Sequence, residues 1–451
     1  MKAVRKRLTA AAAAIHPSNR AILASGLYVA MLAVAAKLFT VLREVTLAYR
    51  YGTSVTIDAF NLAFTVTTWL PVLLVSIAST GLVPMLVASA RDRDEHKRML
   101  AELNATVVLV SITLCLAAIL AAPWASAMIA GTKIPATLEL TTRMITQMAP
   151  VAGLGVLAGY LAARLQAQQR YIYTLGEAFP PLGIALSALL PFDWHGGSLL
   201  TAGLIVGTFV QLLFLAVLLF RSQEDFGSLR LRFTSDRWPI IRNAVGTLAI
   251  GAAILWLTVP VEQAFAARLG VGAVSSLNYA NRLIGMGTSI ATIVIARALL
   301  PAFAARAADG QTAASGHQAR KWAWACAGIG LCCSLVSWPL IEPAIRILLQ
   351  RGAFNDQDVR TVNTLIKIGI LQLPFFFAST ALVQWLAANG EYRSISIIAG
   401  ITVAAKILLL QLMVPLYGLH ALMISTVGMY AVAFLFQSLA LNRKVRRHAL
   451  L

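Results

Sequence analysis

The sequence predicts an all-α integral membrane protein with about twelve transmembrane helices, arranged as two pseudo-symmetric bundles of six. The first observation is the composition: 59% of the 451 residues are hydrophobic and 12% are charged, whereas an ordinary soluble domain is about 25% charged. The second is a series of long apolar segments, and the third is an internal repeat. A chain with so few charges cannot cover its surface for water, so lipid must surround much of it.

Twelve apolar segments approach or exceed the roughly 20 residues that a helix needs to cross the hydrocarbon core of a bilayer. They are residues 21–49, 58–90, 104–128, 137–166, 171–190, 198–220, 239–266, 272–304, 321–349, 358–388, 394–414 and 419–441. Several are longer than a straight crossing requires, which predicts tilted or bent helices. Pro71, Pro84 and Pro260 are the expected bend points, because proline removes a backbone hydrogen bond inside a helix.

The basic residues between these segments predict the orientation. Loops on one side are rich in Lys and Arg, as in residues 91–98, 230–237 and 443–447, and the loops on the other side carry few. Because positive charge concentrates in cytoplasmic loops, both termini are predicted to be cytoplasmic, in a bacterial inner membrane. The same clustering accounts for the net charge of +19, so no nucleic acid partner is predicted.

A repeated motif divides the chain into halves. An Arg-Tyr-Gly sequence ending at Gly52 precedes a long apolar segment that contains Pro84, and Arg-Leu-Gly ending at Gly270 precedes another that contains Pro301. Six predicted spans separate the copies, so the two halves share one orientation and are related by an axis along the membrane normal. The predicted division is a basic tail, an N-terminal bundle, a cytoplasmic linker, a C-terminal bundle and a second basic tail, at 1–20, 21–220, 221–238, 239–441 and 442–451.

Ionisable side chains inside the predicted spans mark the candidate site, because such groups are costly in lipid and usually line a wet cavity. Lys37, Arg43 and Glu44 lie in the first span, and Arg282 lies in the eighth, in the opposite half. Arg282 can therefore face Lys37 and Arg43 across the interface, in a cationic cavity that suits an anion such as phosphate. The alternatives are that Arg43 and Glu44 lie at the membrane surface and that Arg282 bonds to a backbone carbonyl.

Glu177, Lys367 and Lys406 also lie in apolar segments, without a partner nearby in the sequence. Lys406 either supplies a tethered ammonium to a cation site or pairs with a carboxylate elsewhere, and Glu177 is a second candidate for ion coupling. The four cysteines lie in apolar stretches with no histidine interleaved, so neither a disulfide nor a metal site is predicted. No cofactor is expected either.

Several motifs resemble those of one family. Residues 42–52 (LREVTLAYRYG) and 57–64 (IDAFNLAF) resemble the first-to-second-span signature of MurJ-type flippases, members of the superfamily of multidrug, oligosaccharidyl-lipid and polysaccharide exporters (MOP) that includes MATE transporters. Residues 279–283 (YANRL) are similar to the family's eighth-span motif. Residues 351–354 (RGAF) and 388–393 (ANGEYR) resemble its second-half signatures, so the resemblance covers most of the chain.

The resemblance implies a MATE-like fold and alternating-access flipping of a saccharide linked to a polyprenyl pyrophosphate of the undecaprenyl type, by a monomer. It implies that the positions of the family's cavity arginines correspond to Lys37, Arg43 and Arg282 of this sequence. The family's acidic residue at the start of the second span corresponds to Asp58. Asn281, in the eighth-span motif, is a supporting residue together with Glu44. The driving force is left open between a cation gradient and the membrane potential.

The chain departs from the family at Pro71 and Val72, where basic residues are typical, and at Lys406, where Asn is frequent. The saccharide is therefore left open between lipid II and a repeat unit of an exopolysaccharide or capsule. The competing function is a drug or cation antiporter of the same superfamily, which would use the carboxylates of Glu44, Asp58 and Glu177. Enzymatic activity is not predicted, since membrane glycosyltransferases and ligases need larger extramembrane loops than any found here.

Overall fold

The computed structural model describes residues 17–89, 92–131, 134–191, 197–222, 227–231, 238, 253–309 and 312–449. Within these ranges the regular structure is entirely helical, which confirms the all-α prediction. Apolar segments of this length form helices in lipid because a helix satisfies its backbone N–H and C=O groups internally. Parts of the predicted tails and of the predicted linker at 221–238 lie outside the described residues.

The helices follow the predicted spans closely. In the first half they are α1 (Pro17–Tyr51), α2 (Val55–Ser89), α3 (Arg93–Ala130), α4 (Pro135–Ala167), α5 (Phe179–Leu189) and α6 (Ser198–Phe220), with a 3-10 segment at Tyr171–Ala178 before α5. In the second half they are α7 (Thr258–Ala267), α8 (Ala273–Ala308), α9 (Thr312–Ser337), α10 (Ile341–Leu348), α11 (Asp356–Gly369), α12 (Leu373–Ala388), α13 (Tyr392–Tyr417) and α14 (His420–Ala449).

Nine helical segments in the described ranges are long and apolar enough to cross a membrane, or ten when the bent pair α9–α10 is counted as one span. The first predicted span coincides with α1. The seventh is represented by a shorter apolar helix at Ala253–Ala267, and its residues 239–252 lie outside the described ranges. Described helices thus occur in all twelve predicted segments.

One sharp bend lies at a proline that was not among the expected bend points. In the structure α2 continues as one helix past Pro71 and Pro84, and the helical segment at 253–267 is interrupted at Leu257, three residues before Pro260. A bend of 62° lies between α9 and α10, at Pro339. Proline can remain inside a helix where neighbouring groups satisfy the carbonyl that it leaves free, so a proline in an apolar segment does not by itself locate a bend.

The packing repeats in the two halves. In the first half α4 packs against α2, α3 and α6. In the second half α12 packs against α8, α9 and α14, which follow one another along the chain in the corresponding order. Glycines allow the close approach: a Cβ atom at Gly153 of α4 would lie 2.8 Å from the carbonyl oxygen of Ser111 in α3. This correspondence agrees with the repeat in the sequence and with two related bundles.

The two halves contact each other at one end, where α1 ends and α2 and α8 begin. Ala48, Leu62 and Ile129 of the first half belong to the same buried apolar cluster as the core of the second half. The ends that the loop charges predict to be outside are therefore closed against each other.

The described part of the linker packs against α3, since the backbone N–H of Arg230 donates to the carbonyl oxygen of Ala101 at 3.1 Å.

Candidate functional site

One carboxylate, that of Glu44, contacts two guanidinium groups from opposite halves. Its Oε1 atom accepts a hydrogen bond from Nε of Arg43 at 2.9 Å and another from Nη2 of the same residue. Nε of Arg282 in α8 lies 2.9 Å from the same oxygen, as an ion pair without hydrogen-bond geometry in the described chain. Two positive charges share one negative charge, so the cluster keeps an excess of positive charge.

Burial and an aromatic ring hold Arg43 in place. Arg43 and Glu44 are 4% and 6% exposed, and the guanidinium carbon of Arg43 lies 5.7 Å from the ring centroid of Phe64 in α2. A cation above an aromatic face is stabilised by the negative charge of the ring's π system. Arg282 is more open, with a quarter of its side chain exposed, and its Nη groups donate no hydrogen bond to the described residues. Arg282 is thus the more accessible of the two arginines, with both Nη groups available to a ligand.

The structure brings together two of the three cationic residues that the sequence predicted for the site. Lys37 is exposed on α1. It lies seven residues before Glu44, on the same face of α1 but about 10 Å along its axis. The predicted group therefore separates into an arginine cluster at Glu44 and an exposed Lys37 outside that cluster.

Replacing Glu44 by Gln is expected to lower the melting temperature by several degrees, because Arg43 and Arg282 would then face each other without a carboxylate. Removing one partner of a buried ion pair destabilises a protein by about 3–5 kcal/mol, and the exposed quarter of Arg282 reduces this figure. Thermal unfolding of the purified chain measures the effect. Glu139→Gln is the control, since Glu139 is exposed and pairs with Arg143 at the surface. Equal melting temperatures of the two variants would contradict this account.

A cavity of about 550 Å³ lies beside Arg43 within the first half, between α2, α4, α6 and the segment before α5. Phe64 forms part of its wall and also contacts Arg43, so its ring lies between the cavity and the arginine cluster. Gln166, Tyr173, Glu177 and Gln211 supply most of its polar groups. Pro71 and Val72 also line it, so that wall carries no positive charge at the two positions where the resemblance expects it.

Asp58 closes the end where the halves meet. Its Oδ2 accepts a hydrogen bond from the backbone N–H of Gly272 at 2.6 Å, and its Oδ1 accepts one from that of Ser275 at 2.8 Å. The N–H groups at a helix N-terminus have no partner in their own helix and favour a negative charge. A buried carboxylate of the first half therefore caps α8 of the second half.

Further contacts across this end involve residues that the sequence did not single out. Thr53 Oγ1 donates to Oδ1 of Asp358 at 2.5 Å, and the Tyr279 hydroxyl donates to the carbonyl oxygen of Gly52 at 3.1 Å. The backbone N–H of Ala353 donates to the carbonyl oxygen of Tyr49 at 2.8 Å. Tyr279 and Ala353 belong to the motifs at 279–283 and 351–354, which the sequence analysis had found. Neither motif predicts which residue of the first half it contacts.

Gly352 allows the loop before α11 to reach α1. Its φ is +62°, which favours glycine, and a Cβ atom there would lie 2.2 Å from the carbonyl oxygen of Tyr49. No side chain fits in that space, because Cβ atoms do not approach an oxygen so closely without displacing it. The closed end thus depends on backbone contact between the halves as well as on the Asp58 carboxylate.

Lys406 pairs with a carboxylate, one of the two interpretations that the sequence left open. Its Nζ lies 3.1 Å from Oε2 of Glu262 in α7, and both side chains are buried. Thr426 donates to the other oxygen of Glu262 at 3.2 Å. The three side chains and Asn281 line a polar cavity of about 270 Å³ in the second half. Asn281 therefore faces this cavity, although it is the sequence neighbour of Arg282.

Residues 47–450 match the family model described as "Lipid II flippase MurJ". The chain belongs to the MurJ family. A relative from Rhizobium meliloti (strain 1021), described as a probable lipid II flippase MurJ, is 26% identical over 394 residues, which are 84% of this chain and 73% of the relative.

Solved structures show the same fold as this MurJ family member. A lipid II flippase MurJ in an inward closed conformation superposes with a TM-score of 0.80 at 15% identity, over 94% of this chain and 90% of that chain. An inward-facing multidrug resistance MATE family transporter of the MOP superfamily gives 0.79 at 12% identity, over 93% and 99%. The chain is therefore a multi-pass membrane transporter with the MOP fold, as predicted.

Proposed function

We propose that the chain flips a polyprenyl-pyrophosphate-linked saccharide from the inner to the outer leaflet of the bacterial inner membrane by alternating access. The observation that carries the proposal is the meeting of Arg43 and Arg282, one from each half, at the single carboxylate of Glu44. Guanidinium groups bind phosphate in a bidentate manner, and an excess of positive charge favours an anionic ligand. Membership of a family of lipid II flippases supports a lipid-linked saccharide as that ligand.

In the proposed mechanism the pyrophosphate comes from the side opposite to Asp58 and first contacts the open Nη groups of Arg282. It then competes with Glu44 for the two guanidinium groups, since a pyrophosphate carries more negative charge than one carboxylate. The saccharide occupies the cavity beside Phe64, where Gln166 and Gln211 can bond to its hydroxyl groups. The polyprenyl tail stays in lipid while one bundle rotates against the other.

The transport proposal is tested by reconstituting the full chain in liposomes with labelled lipid II or with an undecaprenyl-pyrophosphate-linked neutral oligosaccharide. Appearance of label in the opposite leaflet is expected to exceed that in protein-free liposomes and in liposomes with the Arg43→Ala/Arg282→Ala chain. Preference between the two lipids decides between a peptidoglycan precursor and an exopolysaccharide or capsule unit. Transport of neither lipid above background contradicts the proposal.

Three organisational features belong to the same proposal. Both termini face the cytoplasm, since the basic loops gather at the ends opposite to the closed interface of Asp58 and α8. The chain functions as a monomer, because both arginines of the site are supplied by one chain. Its partner is the lipid substrate, and no nucleic acid partner is proposed. Each of the two predicted bundles, joined by the linker at 221–238, moves as one unit in this proposal.

The Lys406–Glu262 pair is expected to make flipping independent of sodium. The ammonium already compensates the buried carboxylate of Glu262 at 3.1 Å, so that carboxylate does not require a free cation. Flipping rates should agree when sodium is replaced by potassium or choline at constant membrane potential. A strong requirement for sodium would contradict this role of Lys406.

The same pair can be tested by a double-mutant cycle. Lys406→Ala should lower the melting temperature strongly, since an uncompensated buried carboxylate costs about 3–5 kcal/mol. Adding Glu262→Gln to that variant should restore most of the loss, because the remaining side chain is neutral. Lys367→Ala is the control, since Lys367 lies over the ring of Trp338 at 5.8 Å and forms no ion pair with the described residues.

A further inference from the structure

A groove of about 440 Å³ lies on the second half, away from the arginine cluster. It is formed by the beginning of α9, the end of α12 and the end of α14. Its walls are mainly apolar, with Trp324, Phe434, Leu435 and Leu441 among them. The helices that contact the first half are chiefly α7 and α8, whereas α9 and α14 pack against helices of their own half. The groove therefore opens toward lipid and not toward the interface between the halves.

The groove follows one face of α14 over about 16 Å, from Ala431 to Asn442. Its lining residues on α14 recur at intervals of three and four, and the ring of Trp324 meets that of Phe434 at 5.6 Å in an edge-to-face contact. Trp324 and Leu435 are 64% and 55% exposed. An apolar channel of this length, open to the hydrocarbon region, matches an acyl chain in shape and polarity.

Internal hydrogen bonds fix the helices that form the groove. Trp385 of α12 is fully buried, and its Nε1 donates to Oγ of Ser315 in α9 at 3.1 Å. Lys444 of α14 donates to the carbonyl oxygen of Asn389 at 2.9 Å and to Oε1 of Glu391 at 2.7 Å, just beyond the end of α12. The three helices are thus joined at this end by hydrogen bonds between their own residues.

Polar donors cluster at the end of the groove that the loop charges predict to be cytoplasmic. Arg320, Ser438 and Asn442 line it there. Arg320 is exposed, and its Nη2 lies 3.4 Å from Nδ1 of His317. It forms no ion pair with a carboxylate in the part of the chain that is described. A guanidinium, a hydroxyl and an amide at the mouth of an apolar channel are the donors that a lipid phosphate requires.

We propose that this groove binds one anionic diacyl phospholipid of the cytoplasmic leaflet, with an acyl chain along α14 and the phosphate at Arg320. Basic residues near the predicted cytoplasmic ends of α9 and α14 favour a negative headgroup over a zwitterionic one; they are His317, Arg320, Arg443 and Arg446, all exposed. Trp324 lies near the same level, where tryptophan is favoured at a membrane surface. The site is independent of the transported substrate, since no residue of the arginine cluster lines it.

Native mass spectrometry of the full chain, titrated in detergent with phosphatidylglycerol or phosphatidylcholine, tests the proposal. One phosphatidylglycerol is expected to bind at least about ten-fold more tightly than phosphatidylcholine. Arg320→Gln should remove that preference, and Ala431→Trp should displace both lipids by filling the apolar part. Lys321→Gln is the matched control, because Lys321 is an exposed neighbour that does not line the groove. Melting temperatures confirm that each variant is folded.

Three results would overturn the proposal. Equal weakening by Arg320→Gln and Lys321→Gln would show a diffuse attraction to basic residues in place of a site. Binding unchanged by Ala431→Trp would show that the acyl chain lies elsewhere. Displacement of phosphatidylglycerol by undecaprenyl phosphate at equal concentration would assign the groove to the tail of the transported lipid.

Discussion

An Arg282→Ala chain is expected to insert and fold normally but to flip its lipid substrate about 10- to 100-fold more slowly. Hydrogen bonds to a charged group contribute about 1.5–3 kcal/mol, and each 1.4 kcal/mol is roughly a factor of ten in rate. Arg282 has the more exposed guanidinium of the cluster, so its loss removes contacts with the pyrophosphate. Arg43 would remain paired with Glu44, which keeps the folded state largely intact.

The conservative variant separates charge from shape. Arg282→Lys keeps a positive charge but lacks the planar fork that binds phosphate through two hydrogen bonds, so an intermediate rate is expected. Arg360→Ala is the control, because Arg360 is exposed on α11 in the same half. Rates are measured as the initial appearance of labelled lipid in the opposite leaflet of proteoliposomes. Full rates in both Arg282→Ala and Arg43→Ala would disprove a cationic substrate site.

Asp58→Asn is expected to open the closed end about ten-fold more often. The charged carboxylate accepts two short backbone hydrogen bonds at the N-terminus of α8. An amide offers one acceptor in their place and no net charge to the helix dipole. A loss of about 1.4 kcal/mol in the stability of the closed state relative to the open state corresponds to a ten-fold change in the ratio of closed to open molecules.

Thiol labelling measures this opening. Ser276 is 3% exposed in the first turn of α8, so a Ser276→Cys chain without its four native cysteines should react slowly with an impermeant maleimide. Adding Asp58→Asn should increase the labelling rate from the predicted outer side. Asp309→Asn is the matched control, because Asp309 is exposed at the opposite end of α8. Equal labelling rates in the two backgrounds would remove Asp58 from the gate.

Hydropathy and loop charge were enough to predict the helices, because the length of a span and its flanking charges are local properties of a sequence. The repeat was enough to pair Arg43 with Arg282, since it assigned their helices to opposite halves. These predictions depend on the number of spans and on which half holds each residue. They do not depend on how far each helix is rotated or displaced along its axis.

What the sequence could not provide is the partner of each charge. Lys37 lies on the predicted face of α1 but about 10 Å along the axis from Glu44, so it takes no part in the arginine cluster. Glu262, the partner of Lys406, is far away in the chain and lies in a different predicted span. Such pairings depend on helix rotation and on loop conformation, which only the packed structure determines.

The cap on α8 comes from the other half of the molecule. The N–H groups at the N-terminus of α8 are therefore hydrogen-bonded to Asp58 only while the halves are in contact. When they separate, the N–H groups of Gly272 and Ser275 lose their acceptor, and water must take its place. In the proposed alternating access, each transport cycle then includes a step of hydration at this end. The two states consequently differ in the number of water molecules they hold, and osmolytes that lower water activity shift the population toward the closed one.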